Sequence, residues 1–411
     1  MNTSSPPAAK ASKINNHMSH PSLRHGAMAA FSRAGLLALT AALGSCSWLP
    51  RQAPVPVEDR SAAPAPLPAA SAPLPAPPGT LERPRARWVP ASFAELPGWS
   101  QDRAAELWPA LRLGCNTPAE GWATVCAQSR QFYPENDAQA RQWLEQRLKV
   151  YRVESPEGDP AGLITGYFEP LIAASRQPTA TRRIPLHGVP ADLAQRKPYW
   201  TRQQLDTLPA AQAALKGREI AYVEDPLDAL VLQIQGSGRL RIQEADGSER
   251  LVRLAFAGHN EQPYKSVGRW LIDQGEIKPA EASWPGIKDW ARRNPKRVAE
   301  AIWQNPRTVF FREEPLPDPA LGPRGAQGVP LTPGRSIAVD PLSIPYGTPV
   351  WLDTTEPLSS RPLQRLVMAQ DTGGAIVGAV RADYFWGWGD EAEAQAGRMK
   401  QALRAWVLAP R

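Results

Sequence analysis

The chain has 411 residues, 42% of them hydrophobic and 21% charged, with 45 prolines and 30 glycines. At about 100–200 residues per domain this allows two or three domains with ample core. The net charge of +7 is scattered, with no basic block of the kind that forms a nucleic-acid-binding arm, so nucleic acid is not an expected partner.

At the N-terminus, His20, Arg24, His25 and Arg33 precede an apolar run over residues 34–43. The run is too short to span a bilayer as a mature helix, which needs about 20 apolar residues, and reads as an export signal. It ends in Leu43-Gly44-Ser45-Cys46, small residues before a cysteine that resemble a bacterial lipobox. Residues 1–45 are therefore expected to be a lipoprotein signal peptide, with Cys46 as the lipidated first residue of the mature chain. The alternative is an ordinary signal peptide with an incidental cysteine. Ser47 follows the cysteine instead of Asp, which by resemblance to enterobacterial lipoproteins points to the outer membrane. The expected location is that membrane, lipid-anchored and facing the periplasm. Residues 46–87 are rich in Pro and Ala and read as an extended linker. An oxidising periplasm makes a disulfide between Cys115 and Cys126 the expectation, with two buried free thiols as the alternative. The five histidines form no ligand-like pattern, so neither a metal nor another cofactor is expected.

The globular part begins near Trp88. Residues 102–113 read as a helix with Leu107, Trp108 and Leu111 on one face. Asn136 or Asp137 caps a second helix carrying Leu144, Leu148 and Tyr151 at i, i+4 and i+7. The pattern then turns to strands at 162–170 and 230–235, the latter ending in the Gly236-Ser237-Gly238 turn. Residues 239–242 and 251–256 flank Asp246-Gly247, a hairpin signal. Helices follow at 264–274, stopped by Gly275, and around 287–293 and 296–304. Strands at 308–312, 336–339, 349–352 and 366–369 are short and turn-bounded, and 391–408 reads as a closing helix with Met399, Leu403 and Trp406 inward. Many short strands with Gly/Pro turns point to a mainly β architecture of barrels, not to a doubly wound sheet.

Three aspartates near the C-terminus carry the chemistry: Asp340 in Val339-Asp340-Pro341, Asp371 in Gln370-Asp371-Thr372-Gly373-Gly374, and Asp383 in Ala382-Asp383-Tyr384. Each sits beside an apolar run or turn signal at the edge of a short strand. Carboxylates held close together repel, so one titrates high and can serve as a general acid. The plainer reading is that Asp-Pro and Asp-Thr-Gly-Gly make turns. Asp371-Thr372-Gly373 is also the aspartic-protease signature, but that dyad needs two such carboxylates and the chain has one. Trp386 and Trp388 adjoin Asp383 and either stack on sugar faces or pack in the core.

Five motifs occur in order: Thr165-Gly166-Tyr167-Phe168-Glu169-Pro170, then Gln233-Ile234-Gln235-Gly236-Ser237-Gly238-Arg239, then Tyr264-Lys265-Ser266-Val267-Gly268-Arg269, then Asn305-Pro306-Arg307-Thr308-Val309-Phe310-Phe311, and last the three-aspartate segment. Together they resemble the membrane-bound lytic murein transglycosylase A (MltA) family, over roughly residue 88 to the C-terminus, with a C-terminal part similar to its 3D domain. The resemblance implies a double-psi β-barrel assembled from residues 88–170 and 302–411, with a β-rich domain inserted at 171–301 and a groove between the two. The implied activity is lytic cleavage of the glycan strands of peptidoglycan. Asp383 would be the catalytic acid, with Asp371 and Asp340 as neighbours. Thr165, Gly166, Tyr167, Gln235, Gly236, Ser237, Gly238, Gly374 and Trp386 would line the groove. At Val377 relatives often carry Lys, so a cation contact to a substrate carboxylate would be missing here. The alternative is a non-catalytic peptidoglycan-binding lipoprotein that kept the fold.

Overall fold

The computed structural model describes residues 76–316 and 318–411. The expected signal segment, Cys46 and most of the expected linker lie outside the described residues. The strands, in chain order, are β1 (Leu81–Arg83), β2 (Ala86–Ala91), β3 (Leu148–Glu154), β4 (Gly162–Glu169), β5 (Leu171–Ser175), β6 (Ile184–His187), β7 (Glu219–Val223), β8 (Gly238–Gln243), β9 (Glu249–His259), β10 (Val309–Glu314), β11 (Ser336–Val339), β12 (Pro349–Thr355), β13 (Pro362–Asp371), β14 (Arg381–Trp388) and β15 (Lys400–Pro410). They form a sheet in the order β1-β2-β3-β15-β12-β13-β11-β14-β4 and a second in the order β10-β9-β8-β5-β7-β6.

The first sheet closes on itself. The start of β15 pairs with β4, Lys400 opposite Thr165 and Leu403 opposite Gly162. Its middle pairs with β12, Arg404 opposite Asp353 and Val407 opposite Val350. The ring β4-β14-β11-β13-β12-β15 is thus a barrel with no free edge among those strands. Alternation fills it: Ile164, Ile337, Val339, Val350, Val367, Ala382, Tyr384, Leu403 and Val407 point into one core. A second core lies outside the barrel wall, where Trp108, Leu111, Trp143 and Leu144 from the helical segments meet Trp351, Met368 and Trp406. The Cys115–Cys126 disulfide lies in this layer. The second sheet has its own core of Ala174, Val223, Leu240, Val252 and Phe311.

The mainly β architecture agrees with the sequence expectation, but four elements differ. Ordered strands start at Leu81, inside the expected linker, because Leu81–Arg83 pair with Ala86–Trp88 as a hairpin. The helix carrying Leu144 ends at Arg147, and Leu148 opens β3 instead of continuing it. Residues 230–235 are helical, within Pro226–Gln235. Asp225 caps that helix by accepting from the Leu227 N–H, Pro226 occupies its first turn, and Gly236 ends it in the left-handed region. Its run of apolar residues looked strand-like because the helix is buried nearly all round, Leu230 in one cluster, Leu232 in another and Val231 in a third. Finally, the closing helix is only Asp390–Ala396, and 400–410 is strand. Leu403, Ala405 and Val407 enter the barrel core while Trp406 and Leu408 enter the outer core, a period of two that the helical spacing of Met399, Leu403 and Trp406 concealed.

Candidate active site

Strand register brings the chemistry together. β11 lies between β13 and β14, and its Ala338 is in register with both Asp371 and Asp383. β14 runs parallel to β4, with Asp383 beside Thr165 and Phe385 beside Tyr167. Because Ile164, Ala382 and Tyr384 point into the barrel, alternation turns Thr165 and Asp383 to its outer face. A cavity of about 220 Å³ opens there against β4, lined by Thr165, Gly166 and Phe168 of that strand and, opposite, by Gln235, Tyr264 and Trp284 from the helical segments; of the site's polar residues on the barrel it is Thr165, and not Asp383, that lines it.

Asp383 lies inside its strand, not at the strand edge. Its Oδ1 accepts from Thr165 Oγ1 at 2.6 Å. Arg381, two residues earlier on the same face, donates through Nη2 to that same Thr165 oxygen at 2.9 Å. Burial pushes the Asp383 carboxyl up to about 6; the Thr165 hydrogen bond and the Arg381 cation oppose the rise, and the Asp371 charge adds to it. Asp371 is also raised, mainly by burial, against hydrogen bonds from the Thr372 and Ala326 N–H groups and Tyr167. The Tyr167 hydroxyl donates to Asp371 Oδ2 at 3.0 Å, and the Ala326 N–H donates to Oδ1 at 3.0 Å. Burial, then the charges of Asp371 and Asp383, hold Tyr167 well above its ordinary range, so it stays a neutral donor. Desolvation, not mutual repulsion of the carboxylates, is therefore the leading cause of the raised titration.

Asp340 has a different environment. Its Oδ1 accepts from the Leu342 N–H at 3.0 Å, and its Oδ2 accepts from the Gly378 N–H and Arg85 Nη1, both at 2.9 Å. Burial raises it, but the hydrogen bonds from Gly378, Arg85 and Leu342 outweigh that and hold it below the usual range. It stays ionised and ties the turn at Gly378 to the N-terminal strands.

The other sequence-predicted residues divide. Gly166 is packed so closely that an added Cβ would meet Trp386 Nε1 at 2.7 Å and Ala396 Cα at 2.9 Å. Gln235 faces the cavity and accepts from the Phe168 N–H at 3.1 Å, tying the helix of the second layer to β4. Gly236 and Gly238 serve the turn from that helix into β8: Gly236 has φ +80°, and a Cβ on Gly238 would lie 2.1 Å from Leu232. Ser237 between them is buried. Gly374 is exposed on the loop after β13, against the Arg307 guanidinium. Trp386 is half-buried against Tyr384, with its N–H toward the Met399 sulfur, so it forms wall rather than an open stacking face. Trp388 is 40% exposed, but Arg239 already lies over its ring at 4.2 Å. The sequence reading missed Arg381; its signal is the i, i+2 spacing to Asp383 within a strand.

The sequence and the fold are both similar to those of known proteins. The MltA specific insert domain model matches residues 163–312 and the 3D domain model matches 335–409. The membrane-bound lytic murein transglycosylase A of Vibrio cholerae is 34% identical over 261 residues, covering 61% of this chain and 67% of that protein. Its Escherichia coli K12 counterpart is 33% identical over 269 residues, 64% and 69% respectively. Among solved structures, MltA from Neisseria gonorrhoeae aligns with a TM-score of 0.69 at 35% identity, covering 82% of this chain and 97% of that one. The lytic transglycosylase LtgG of Burkholderia pseudomallei aligns with a TM-score of 0.58 at 44% identity, covering 79% and 95%. This chain is an enzyme, and it belongs to the membrane-bound lytic murein transglycosylase A family.

Proposed function

We propose that the chain cleaves the β-1,4 bond between N-acetylmuramic acid and N-acetylglucosamine in peptidoglycan, leaving 1,6-anhydro ends, with Asp383 acting first as acid and then as base. The observation that carries this is a half-buried carboxyl, raised to about 6 and bonded through one oxygen to Thr165, which lines a cavity between β4 and the helical segments that carry Gln235 and Trp284. A carboxyl that is still partly protonated near neutral pH can protonate the glycosidic oxygen. Because Oδ1 already accepts from Thr165, Oδ2 is the atom that holds the transferable proton. As the bond breaks, the anomeric carbon gains oxocarbenium character. Asp383, now ionised, takes the proton of the sugar's own C6 hydroxyl, which closes on the anomeric carbon. Intramolecular attack gains from proximity, up to about 7–11 kcal/mol in well-oriented cases. Asp371 has both oxygens engaged and acts through its charge on Asp383. Escherichia coli MltA has been solved with bound chitohexaose, and aligns with this chain at a TM-score of 0.58 and 25% identity, which supports a β-1,4 glycan as the ligand here.

No helix among the described residues is long and apolar enough to cross a membrane. Attachment to the outer membrane through a lipidated Cys46, with the enzyme facing the periplasm, remains part of this proposal. The test is mass spectrometry of products released from purified sacculi. Anhydro-muramoyl products from the native chain, absent with Asp383→Ala, are expected. Reducing-end products would make the enzyme a hydrolase, and retained release by Asp383→Ala would reassign the acid.

A further inference from the structure

We propose that Arg381 is a positioning residue that acts on Asp383 through Thr165, fixing which carboxyl oxygen carries the exchangeable proton. This rests on the reading of Asp383 as the acid. A guanidinium has only donors, so at the 2.9 Å contact Thr165 Oγ1 must accept from Arg381 Nη2. A hydroxyl has a single hydrogen. With one acceptor site taken by Arg381, that hydrogen points along the remaining contact, 2.6 Å to Asp383 Oδ1. The direction of the chain is therefore set from Arg381 to Thr165 to Asp383. Oδ1 accepts from Thr165 in this arrangement, which favours Oδ2 as the seat of a proton on the carboxyl.

The placement follows from the strands. Arg381 and Asp383 are two apart on β14, so they share a face, and Thr165 is the parallel partner of Asp383 on β4. The guanidinium's other hydrogen bond goes to the Ala382 carbonyl, which pins it to its own strand. The charged or titratable groups around Asp383 are Asp371 on β13, Tyr167 on β4, Arg381 on β14 itself and Lys400 of β15, in register with Thr165; β11 contributes Ala338. Thr165 and Arg381 favour the ionised carboxyl, and Asp371 disfavours it. Removing either of the first two must raise the titration of Asp383. Without Arg381 both acceptor sites of the Thr165 hydroxyl are open, and the bias between the two carboxyl oxygens weakens.

The experiment follows the carboxyl signals of 13C-aspartate-labelled full-length protein by NMR during a pH titration, assigns Asp383 with the Asp383→Asn variant, and records kcat/KM against pH on sacculi. Variants are Arg381→Met, Arg381→Lys, Thr165→Val and the Thr165→Val/Arg381→Met double. Arg381→Met is expected to raise the Asp383 midpoint by about one unit and to carry the alkaline limb of kcat/KM with it. Arg381→Lys is expected to return part of that shift, since the charge stays and the fork is lost. In the double variant the midpoint is expected to lie above Thr165→Val by clearly less than the shift of Arg381→Met alone, because beyond its direct charge Arg381 acts through Thr165. Fully additive shifts would mean that Arg381 acts only by its charge and would overturn the proposal. So would an unchanged midpoint with a lowered melting temperature, which would leave Arg381 a purely structural residue. If Asp383→Ala retains product release while the titrations behave as expected, the assignment of the acid fails and the positioning chain stands.

Discussion

Asp371 and Asp383 stand on either side of Ala338, each in register with it from a neighbouring strand, so their Cα atoms are two strand spacings apart, about 9–10 Å. That separation is too long for a shared proton and short enough for one charge to be felt by the other. Asp371→Asn removes a charge that raises Asp383. In the proposed mechanism Asp383 must be protonated, so kcat/KM of the native enzyme is expected to fall as pH rises through about 6. In Asp371→Asn that alkaline limb is expected to move to lower pH. Tyr167→Phe is expected to move it the same way by less, because losing the hydrogen bond raises Asp371 and dilutes its charge. Initial rates on sacculi from pH 4 to 8 check both signs; a limb that moves upward in Asp371→Asn would rule out this electrostatic coupling.

Asp383→Asn is expected to lower kcat by at least about 10²-fold, the usual contribution of a positioned general acid. Its effect on stability has the opposite sign. A carboxyl raised on folding from 3.8 to about 6 contributes stability below its unfolded value, and that contribution is lost as pH rises through the folded value. Above pH 6 the native chain holds a partly buried charge that the amide lacks. Thermal melting at pH 8 is expected to show Asp383→Asn a few degrees more stable than the native chain, and at pH 4 about equal to it. An unchanged or lower melting temperature at pH 8 would mean that burial is not what raises this group.

Asp340 calls for the reverse signature. Its carboxyl is depressed, so the stability it contributes is present above the unfolded value and lost as pH falls through the folded one. Asp340→Asn removes an ion pair to Arg85, whose side chain is 45% exposed, and weakens the bond that holds the Gly378 N–H. The expected loss is about 1–3 kcal/mol, discounted for the solvated partner. Urea melts at pH 7 measure it, and the gap to the native chain should close below pH 4. An alkaline limb of kcat/KM still near its native position would separate Asp340 from the proton transfers, whereas a shift like that of Asp371→Asn would place it in them.

How much of this was legible in the sequence follows from what each motif has to do. Gly162–Glu169 read as a strand because its β-formers are bounded by turn residues, and Thr165 and Tyr167 follow from its alternation. The pairing of Asp383 with Thr165 was not legible, since parallel register is set by long-range closure of the barrel and not by spacing. Residues 400–410 were misread for the same reason. The strand exists because β4, β12 and β3 each offer it an edge, and only the closed ring supplies those edges. Asp340 resembled Asp371 and Asp383 in its sequence surroundings, yet its partners Arg85 and Gly378 come from distant segments that no local pattern connects to it.

Gly166 leaves no room for a side chain. A Cβ there would lie 2.7 Å from Trp386 Nε1, 2.9 Å from Trp386 Cδ1 and 2.9 Å from the Ala396 backbone. The indole could swing, but the Ala396 Cα cannot, so Gly166→Ala must push β4 away from the helix Asp390–Ala396. That shift acts on Thr165, the next residue, and so on the 2.6 Å bond to Asp383. The expected result is about 1–3 kcal/mol of lost stability together with a clear fall in kcat. Denaturant melts and initial rates measure the pair; unchanged kcat in a destabilised Gly166→Ala would show that the Thr165 contact tolerates displacement.

The last prediction concerns Glu169, which ends β4 and is fully buried between two arginines of the second sheet. Arg239 donates to its Oε2 at 2.7 Å, and Arg253 donates to its Oε1 at 2.5 Å. The remaining donors meet carbonyls, Arg239 at Pro319 and Leu321 and Arg253 at Leu321, and Asp318 adds a further negative charge near Arg239. This cluster ties the barrel strand that carries Thr165 to β8 and β9 of the second sheet. Glu169→Gln keeps the shape but leaves two buried guanidiniums facing a neutral amide. Breaking a buried pair in this way costs on the order of 3–5 kcal/mol. Urea unfolding of Glu169→Gln is expected to show a loss of that size, and adding Arg253→Met is expected to recover part of it by removing the surplus cation. If the double variant were less stable than Glu169→Gln alone, the packing of the Arg253 stem, and not its charge, would be what holds the two sheets together.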